Sequence, residues 1–449
     1  MLGRVSLSYR PMKIGGIIAE YNPFHKGHSY QIEEFKRISS CSHLVVAMSG
    51  NFVQRGGPAL VDKYARTQMA LDNGVDLVIE IPSIFAGQTA EIFARGGLLS
   101  LNSLGCVDSF CFGSEDGNID RLRELAGYIY DQAALIDERA GLLMKNSMSY
   151  AKAREEAIRQ GFESFDIGAI LSQSNNILGL EYLKEARRLD SGMEAVTIKR
   201  QGASYNSQDM DGPMPSASAI RRSILGLGKF ENIGQLEDEC KYGDAIGQNI
   251  DQILGKLLDK SVLDILKSLS GQGIDFMGED SFFQEISYIL AREDQGLGKY
   301  FEVNGGLEHS IRRAVLTSTS MAGVLASLSN KSHTHSKIRR AIYNILLGIT
   351  KSDMDQAKVI KSLPYARVLG MNNKGRDILR MAKERSSINI ITSPAKAINS
   401  HIYREDSLYR KLLDIDLRTS AIYYQKYHAK NPDLLARGQA DFFDTRFNF

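Results

Sequence analysis

Two histidines separated by Lys26-Gly27 give the chain its clearest chemistry. His25 and His28 follow an Asn22-Pro23 turn, which itself follows the short apolar run Ile14–Ala19. Gly27 lets the backbone close on a phosphate, and imidazoles can donate hydrogen bonds to phosphoryl oxygens as charge builds on them. A buried strand ending at a helix start adds first-turn N–H groups that have no partner within the helix, which makes an anion site. On a bare surface turn the same tetrapeptide would be only a polar helix start. After a strand and an Asn-Pro turn it reads as a nucleotide-phosphate site. A second anion candidate is Ser216-Ala-Ser218-Ala-Ile-Arg221, where two hydroxyls open a helix and Arg221 lies about a turn further along; a plain N-cap with a surface arginine is the alternative. Arg200 follows a strand and neighbours Lys199, so it reads either as a phosphate contact or as a solvated basic turn.

These residues need a frame. From Met12 to about Ser114, short β-type runs (Ile14–Ala19, His43–Met48, Asp76–Ile81, Asp108–Phe112) alternate with helical stretches (His28–Ile38, Asp62–Asn73, Ala90–Leu104). Such alternation predicts an α/β fold with a Rossmann-like parallel sheet, and ligands there sit at the carboxyl ends of the strands. Tyr21–His28, Ser49–Gly57 and Gly113–Glu115 all fall at such ends and converge on one rim. Gly113, without a Cβ, lets a ligand lie against backbone there. Asn175 reads either as a polar contact to a ligand or as a cap on the helix that follows. Ser49–Gly57 is a small-residue loop carrying Gln54 and Arg55, suited to shielding a reactive intermediate from water. Asp62-Lys63 reads as a helix start. Helical spacing continues through Ile119–Arg139, Ser149–Gln160 and Leu178–Leu189, then a strand at Ala195–Ile198. Beyond the Gly-rich Leu225–Phe230 the chain is mostly helical, through Ile250–Leu269, Phe282–Leu290, Ser310–Asn330, Ser336–Gly348 and Asp406–Leu412. The expected division is an extension over 1–11, a nucleotide-handling domain over 12–227 and a mostly α-helical domain over 228–449.

With 449 residues, 43% hydrophobic and 24% charged, the chain has material for more than one domain and ample core. No apolar run reaches the ~18 residues of a membrane span. Four cysteines (Cys41, Cys106, Cys111, Cys240) form neither a disulfide framework nor a zinc pattern, so reduced core thiols and a cytoplasmic location are expected. Net charge is only +2, but it is uneven: His309–Arg385 holds 15 Lys and Arg against 4 Asp and Glu. No acid at all lies between His309 and Lys351. That asymmetry predicts a polyanion partner for the second half. Lys331, Lys337, Arg339 and Arg340 crowd the start of one helix, and Lys374 and Arg376 form a second basic turn; all six are expected on RNA phosphates. His333 and His335 have no further ligand cluster around them, so no metal site is read there.

Tyr21-Asn-Pro-Phe-His-Lys-Gly-His28 resembles the H-x-G-H signature of the nucleotidylyltransferase superfamily. More closely, the chain resembles the bacterial tRNA(Met) cytidine acetate ligases. The resemblance is carried by GIIAEYNPFHKGH (Gly16–His28), MSGNFVQRGGPA (Met48–Ala59), GVDLVIEIP (Gly74–Pro82), FGSE (Phe112–Glu115), SNNILGLEYL (Ser174–Leu183), IKRQGASY (Ile198–Tyr205), SASAIRR (Ser216–Arg222) and, later, HSKIRRAIYNILLG (His335–Gly348). It implies activation of acetate with ATP as acetyl-adenylate, without acetyl-CoA, and transfer to N4 of the wobble cytidine of elongator tRNA(Met), with Mg²⁺ accompanying ATP. It implies an ATP pocket along Ile18, Ala19, Glu20, Tyr21, Asn22, Pro23, Phe24, His25, Lys26, Gly27, His28, Ser29, Tyr30 and Gln31. Gly113, Asn175 and Arg200 would be further contacts, and Ser216, Ser218 and Arg221 would match the superfamily's phosphate-binding S-x-T-x-I-R element. The chain departs from the family at Ser174, where a proline usually precedes the paired asparagines. The rival expectations are a small-molecule adenylyltransferase and a non-catalytic RNA-binding protein on a nucleotide fold.

Overall fold

Apolar runs too short for core helices, buried on both faces, pair as parallel strands. The computed structural model describes residues 12–145, 148–200, 217–226, 254–293, 296–330, 333–405 and 407–426. Its strands are β1 (Ile14–Ala19), β2 (His43–Ser49), β3 (Leu77–Ile81), β4 (Ser109–Ser114), β5 (Glu194–Lys199), β6 (Tyr365–Met371) and β7 (Asn389–Ile391). They form one seven-stranded sheet in the order β5-β4-β1-β2-β3-β6-β7. β1 to β5 run parallel, β6 is antiparallel to β3, and β7 is parallel to β6. The chain leaves β1 toward β2 and β3, then returns to β4 on the other side. The switch in strand order therefore lies between β1 and β4, where this class of sheet opens a crevice.

Residues along β1 alternate between faces, and the covering helices follow. A Cβ on Gly15 would meet Phe35, from the helix Lys26–Ser39; one on Gly16 would meet Leu101, from the helix Ala90–Asn102. That second helix sits so close that a Cβ at Gly97 would lie 2.5 Å from Ile18. Two helical runs are interrupted relative to expectation. Ile119–Arg139 divides at Gln132 into Ile119–Asp131 and Ala133–Lys145, which turns Ile136 and Ala140 into the core. Ser310–Asn330 divides into Leu307–Thr317 and Met321–Leu328. Between them Ser320 leaves helical geometry to accept from Gly323 N at 3.2 Å, as short hydroxyl side chains do.

The second half is mostly helical, as expected, but it also returns to the sheet. β6 covers the outer edge of β3, with Glu80 opposite Arg367. Lys63 Nζ lies 3.1 Å from both Glu80 oxygens and donates to Ser420 Oγ at 2.8 Å; Arg367 Nη1 lies 3.1 Å from Glu80 Oε2. Lys63, Glu80 and Arg367 are all at least 97% buried, so each charge depends on the others. Asp416 joins the same layer, accepting from Ser83 N and from the Tyr365 hydroxyl, each at 2.6 Å; burial raises its carboxyl to about 6. The boundary expected at 227/228 and the extension 1–11 lie outside the described residues.

Candidate active site

A cleft opens at the carboxyl ends of β1 and β4, lined by Ile18–Asn22 from the first and by Phe112-Gly113 from the second. Fully buried Arg66 holds its base. Its guanidinium donates to Glu20 O at 2.6 Å, Ser49 O at 3.1 Å and Gly50 O, while Nε donates to Val61 O at 3.2 Å. The Glu20, Ser49 and Gly50 carbonyls lie at the ends of β1 and β2, so one side chain fixes both rim loops. After Glu20 the chain turns sharply: Tyr21 has φ 47° and the Asn22-Pro23 peptide is cis.

The helix Lys26–Ser39 begins two residues earlier than expected, because His25 is its N-cap. His25 Nδ1 accepts from Gly27 N at 3.0 Å, and His28 Nδ1 accepts from His25 N at 3.2 Å. The two imidazoles thus form a reciprocal capping box, a job usually done by hydroxyl and carboxylate side chains. An Nδ1 that accepts carries no proton, so each neutral ring holds its proton on Nε2. Neither Nε2 has a protein partner among the described residues, and both rings line the cleft. They stack with centroids 3.8 Å apart. Burial and then the Arg200 charge push His25 down to about 3. Burial, the neighbouring His25 and Arg200 likewise hold His28 well below the imidazole range. The cleft therefore presents two fixed, uncharged N–H donors in a field made positive by arginine.

Those arginines come from distant segments. Arg221, on the helix Ala217–Gly226, donates to Asn22 O at 2.6 Å and to Ser218 Oγ at 3.1 Å, which pins the serine and arginine against the histidine loop. Arg200 follows β5, its backbone N donating to Ser114 O at 2.9 Å. Its aliphatic stem crosses Gly113, where a Cβ would lie 3.3 Å from Arg200 Cγ. Gly113 thus makes room for Arg200 first. Asn175 is not the cap of the helix Ser174–Arg188. Glu115 takes that place, accepting from Asn176 N at 2.9 Å and from Asn175 Nδ2 at 2.6 Å. Asn176 is buried, its Oδ1 accepting from Glu115 N and Asp116 N, while Asn175 lines the cleft.

Of the stretch expected around ATP, Ile18, Ala19, Glu20, Tyr21, Asn22, His25, His28 and Gln31 line the cleft. Pro23 and Phe24 are buried behind it. Lys26 and Ser29 reach away, to Gly255 O at 2.9 Å and Asp259 Oδ2 at 2.6 Å; Gly27 and Tyr30 do not line it either. Ser216 lies outside the described residues. The sequence reading missed Phe93, Phe112, Leu178 and Tyr182 as apolar walls; Phe112, directly before Gly113 at a strand end, was the one with a signal.

The basic residues separate. The helix His335–Leu347 starts against the Ser49–Gly57 loop, whose Gly56 would place a Cβ 2.9 Å from Arg340 Cα. Arg340 makes a bidentate pair with Glu302 at 2.7 and 2.8 Å, and Arg339 bonds Glu279 at 2.6 Å. The acid-free interval is thus answered by carboxylates from earlier in the chain, and neither arginine is a free phosphate donor. Half-buried Lys337 has no acidic partner among the described residues; Lys331 lies outside them. Lys374 and Arg376 are exposed at the opposite edge of the sheet, where Lys374 Nζ donates to Ser42 O at 3.0 Å just before β2. Among the described residues no group of His, Cys, Asp and Glu is arranged to hold a metal ion, and no helix is long and apolar enough to cross a membrane.

Comparison with known proteins places this geometry. The HIGH Nucleotidyl Transferase family model matches residues 12–436. A tRNA(Met) cytidine acetate ligase of Acetivibrio thermocellus is 35% identical over 430 residues, 95% of this chain and 98% of that protein. One from Thermoanaerobacter pseudethanolicus is 37% identical over 416 residues, 93% and 96% of the two chains. Among solved structures, apo Thermotoga maritima TmcAL superposes with a TM-score of 0.82 at 26% identity, covering 93% of this chain and 96% of that one. TmcAL bound with alpha-thio ATP gives 0.78 at 28% identity, covering 93% and 95%. The chain belongs to the HIGH nucleotidyl transferase family and, within it, to the tRNA(Met) cytidine acetate ligases.

Proposed function

We propose that this protein is an ATP-dependent ligase that converts acetate to acetyl-adenylate and acetylates N4 of the wobble cytidine of elongator tRNA(Met). One observation carries the reading: His25 and His28, locked as Nε2–H donors, share one cleft with Arg200 and Arg221. Attack of the acetate oxygen on the α-phosphorus expels pyrophosphate and needs no covalent enzyme intermediate, so positioning and charge stabilisation do the work. Arg200 and Arg221 draw the triphosphate in. The two Nε2–H groups bond phosphoryl oxygens, and those bonds strengthen as charge gathers on the departing pyrophosphate. Asn175 and Gly113 line the same cleft and would receive the nucleoside. Mg²⁺ suits this site as an ion carried by the phosphates, the way it usually enters phosphate chemistry, since among the described residues the cleft offers no carboxylate cluster of its own.

The tRNA would approach at the carboxyl edge of the sheet, past Lys337 and the Ser49–Gly57 loop, and a tRNA substrate fits a cytoplasmic location. The test is acetate-dependent exchange of labelled pyrophosphate into ATP, followed by acetylation of purified tRNA(Met) from labelled acetate and ATP without acetyl-CoA. No exchange with acetate would sink the ligase reading. Exchange without transfer to tRNA would favour a small-molecule adenylyltransferase.

A further inference from the structure

The cleft carries one charge of the wrong sign for ATP. Among its described lining residues Glu20 is the sole carboxylate, set among His25, His28, Arg200 and Arg221. It is held at two points. Its backbone carbonyl accepts from Arg66 Nη1 at 2.6 Å, and its Oε1 accepts from Gln54 N at 2.7 Å. No lysine, arginine or histidine among the described residues lies within ion-pair distance of it, and Oε2 has no protein partner there. An unpaired carboxylate in a polyphosphate cleft weakens ATP binding by repulsion. Its rigid mounting between the β1 and β2 loops gives it a task other than binding ATP.

The second half-reaction supplies such a task. An exocyclic cytosine amine is a weak nucleophile, and it must lose a proton as it becomes an amide. A carboxylate is the acceptor that suits the cytosine N4 amino group. We propose that Glu20 is the catalytic base of acetyl transfer, accepting a hydrogen bond from N4 of the incoming cytidine through Oε2. The N4 lone pair attacks the acetyl carbonyl carbon and the C–N bond forms. The carbon–oxygen bond to the adenylate phosphate breaks, AMP leaves with that electron pair, and the N4 proton passes to Glu20 and on to solvent. The Gln54 amide bond fixes the direction of the carboxylate, so the loop that shields the adenylate also aims the base.

This assignment rests on the ligase reading above, and Glu20→Gln tests the two separately. The variant is isosteric, and its Oε1 still accepts from Gln54 N. Three rates are measured on the full-length protein: acetate-dependent pyrophosphate exchange, capture of acetyl-adenylate by hydroxylamine, and acetylation of tRNA(Met). Hydroxylamine is nucleophilic enough to need no base, so its capture follows whatever the substitution does to adenylate formation in the cleft that Glu20 lines, and acetylation of tRNA is read relative to capture. Acetylation of tRNA should fall by about 10²–10⁴-fold, the range for loss of a general base. If all three rates fall together, Glu20 serves ATP or its metal and the assignment is overturned. If tRNA acetylation is unchanged, it is overturned as well. If the unsubstituted protein shows no exchange with acetate, it is the ligase reading that fails.

Discussion

His25 does two jobs with two nitrogens, and substitution can separate them. Nδ1 caps the helix Lys26–Ser39 by accepting from Gly27 N at 3.0 Å, whereas Nε2–H faces the cleft. Loss of a side-chain N-cap costs about 1 kcal/mol. Loss of one well-aimed donor to a charge that develops in the transition state costs about 3–4 kcal/mol, or 10²–10³-fold in rate. His25→Asn keeps a good N-cap but cannot reach the cleft. His25→Ala loses both functions. The asparagine variant should therefore unfold in urea within about 0.5 kcal/mol of the unsubstituted protein, and the alanine variant about 1 kcal/mol earlier. Both should lose acetate-dependent pyrophosphate exchange by about 10²-fold or more. If His25→Asn exchanges at the original rate, the imidazole is only a cap and the Nε2–H argument is refuted. If the alanine variant alone is inactive, the motif acts through helix geometry.

Three further outcomes follow from the contacts of the cleft and the basic helix. Lys337→Ala should weaken tRNA binding across sequences and lower the slope of log K against log salt by about 1, measured by filter binding; Arg340→Ala should instead destabilise the fold by about 1–3 kcal/mol, because it strands half-buried Glu302. For pH, His25 and His28 are neutral in the folded protein, His25 down to about 3, and have ordinary imidazole values when unfolded. Between about 6.5 and 3 the unfolded chain binds more protons at these sites, so their burial removes stability as pH falls through that window. Asp416, raised to about 6, works in the opposite sense, so the diagnostic quantity is a difference. A His25→Asn/His28→Asn protein should lose less stability between pH 7 and pH 5 than the unsubstituted one, and equal losses would contradict the burial argument.

The first five strands were legible because four are short runs carrying Val or Ile and β4, Ser109–Ser114, is an aromatic run, each ending in turn or polar residues. Placing Tyr21–His28, Ser49–Gly57 and Gly113–Glu115 at their carboxyl ends was enough to predict one rim. Local signals also recovered Asp62, which accepts from Ala65 N at 2.7 Å as a plain helix start, with Lys63 committed to Glu80. What failed to show was non-local. The arginine pair at 339–340 looked free because Glu279 and Glu302 lie 60 and 38 residues away. Lys374 and Arg376 looked like part of the same basic surface because nothing in their sequence tells which edge of a sheet they occupy. β6 escaped because YARVLGM carries an arginine at a fully buried position, and only its partner Glu80 makes that tolerable.

That buried arginine bears on whether the two halves can be separated. Cutting the chain near 227 would expose the outer edge of β3, a fully buried strand of Leu-Val-Ile-Glu-Ile, as a ready template for pairing with other chains. It would also remove Arg367 and Ser420, leaving Lys63 and Glu80 facing solvent-accessible space with part of their network gone. Breaking a buried ion network by removing one partner costs about 3–5 kcal/mol, a large share of the 5–15 kcal/mol by which a domain is stable. A fragment spanning residues 12–227 should therefore aggregate or fail to unfold cooperatively in urea, and should bind no ATP. Adding a separately produced 228–449 fragment should restore exchange only if the two assemble the sheet. A soluble 12–227 fragment that exchanged pyrophosphate on its own would show that β6 and its charges are dispensable. The basic second half would then be an attached RNA module; with the charges shared across one sheet, it is instead part of the scaffold that holds the cleft.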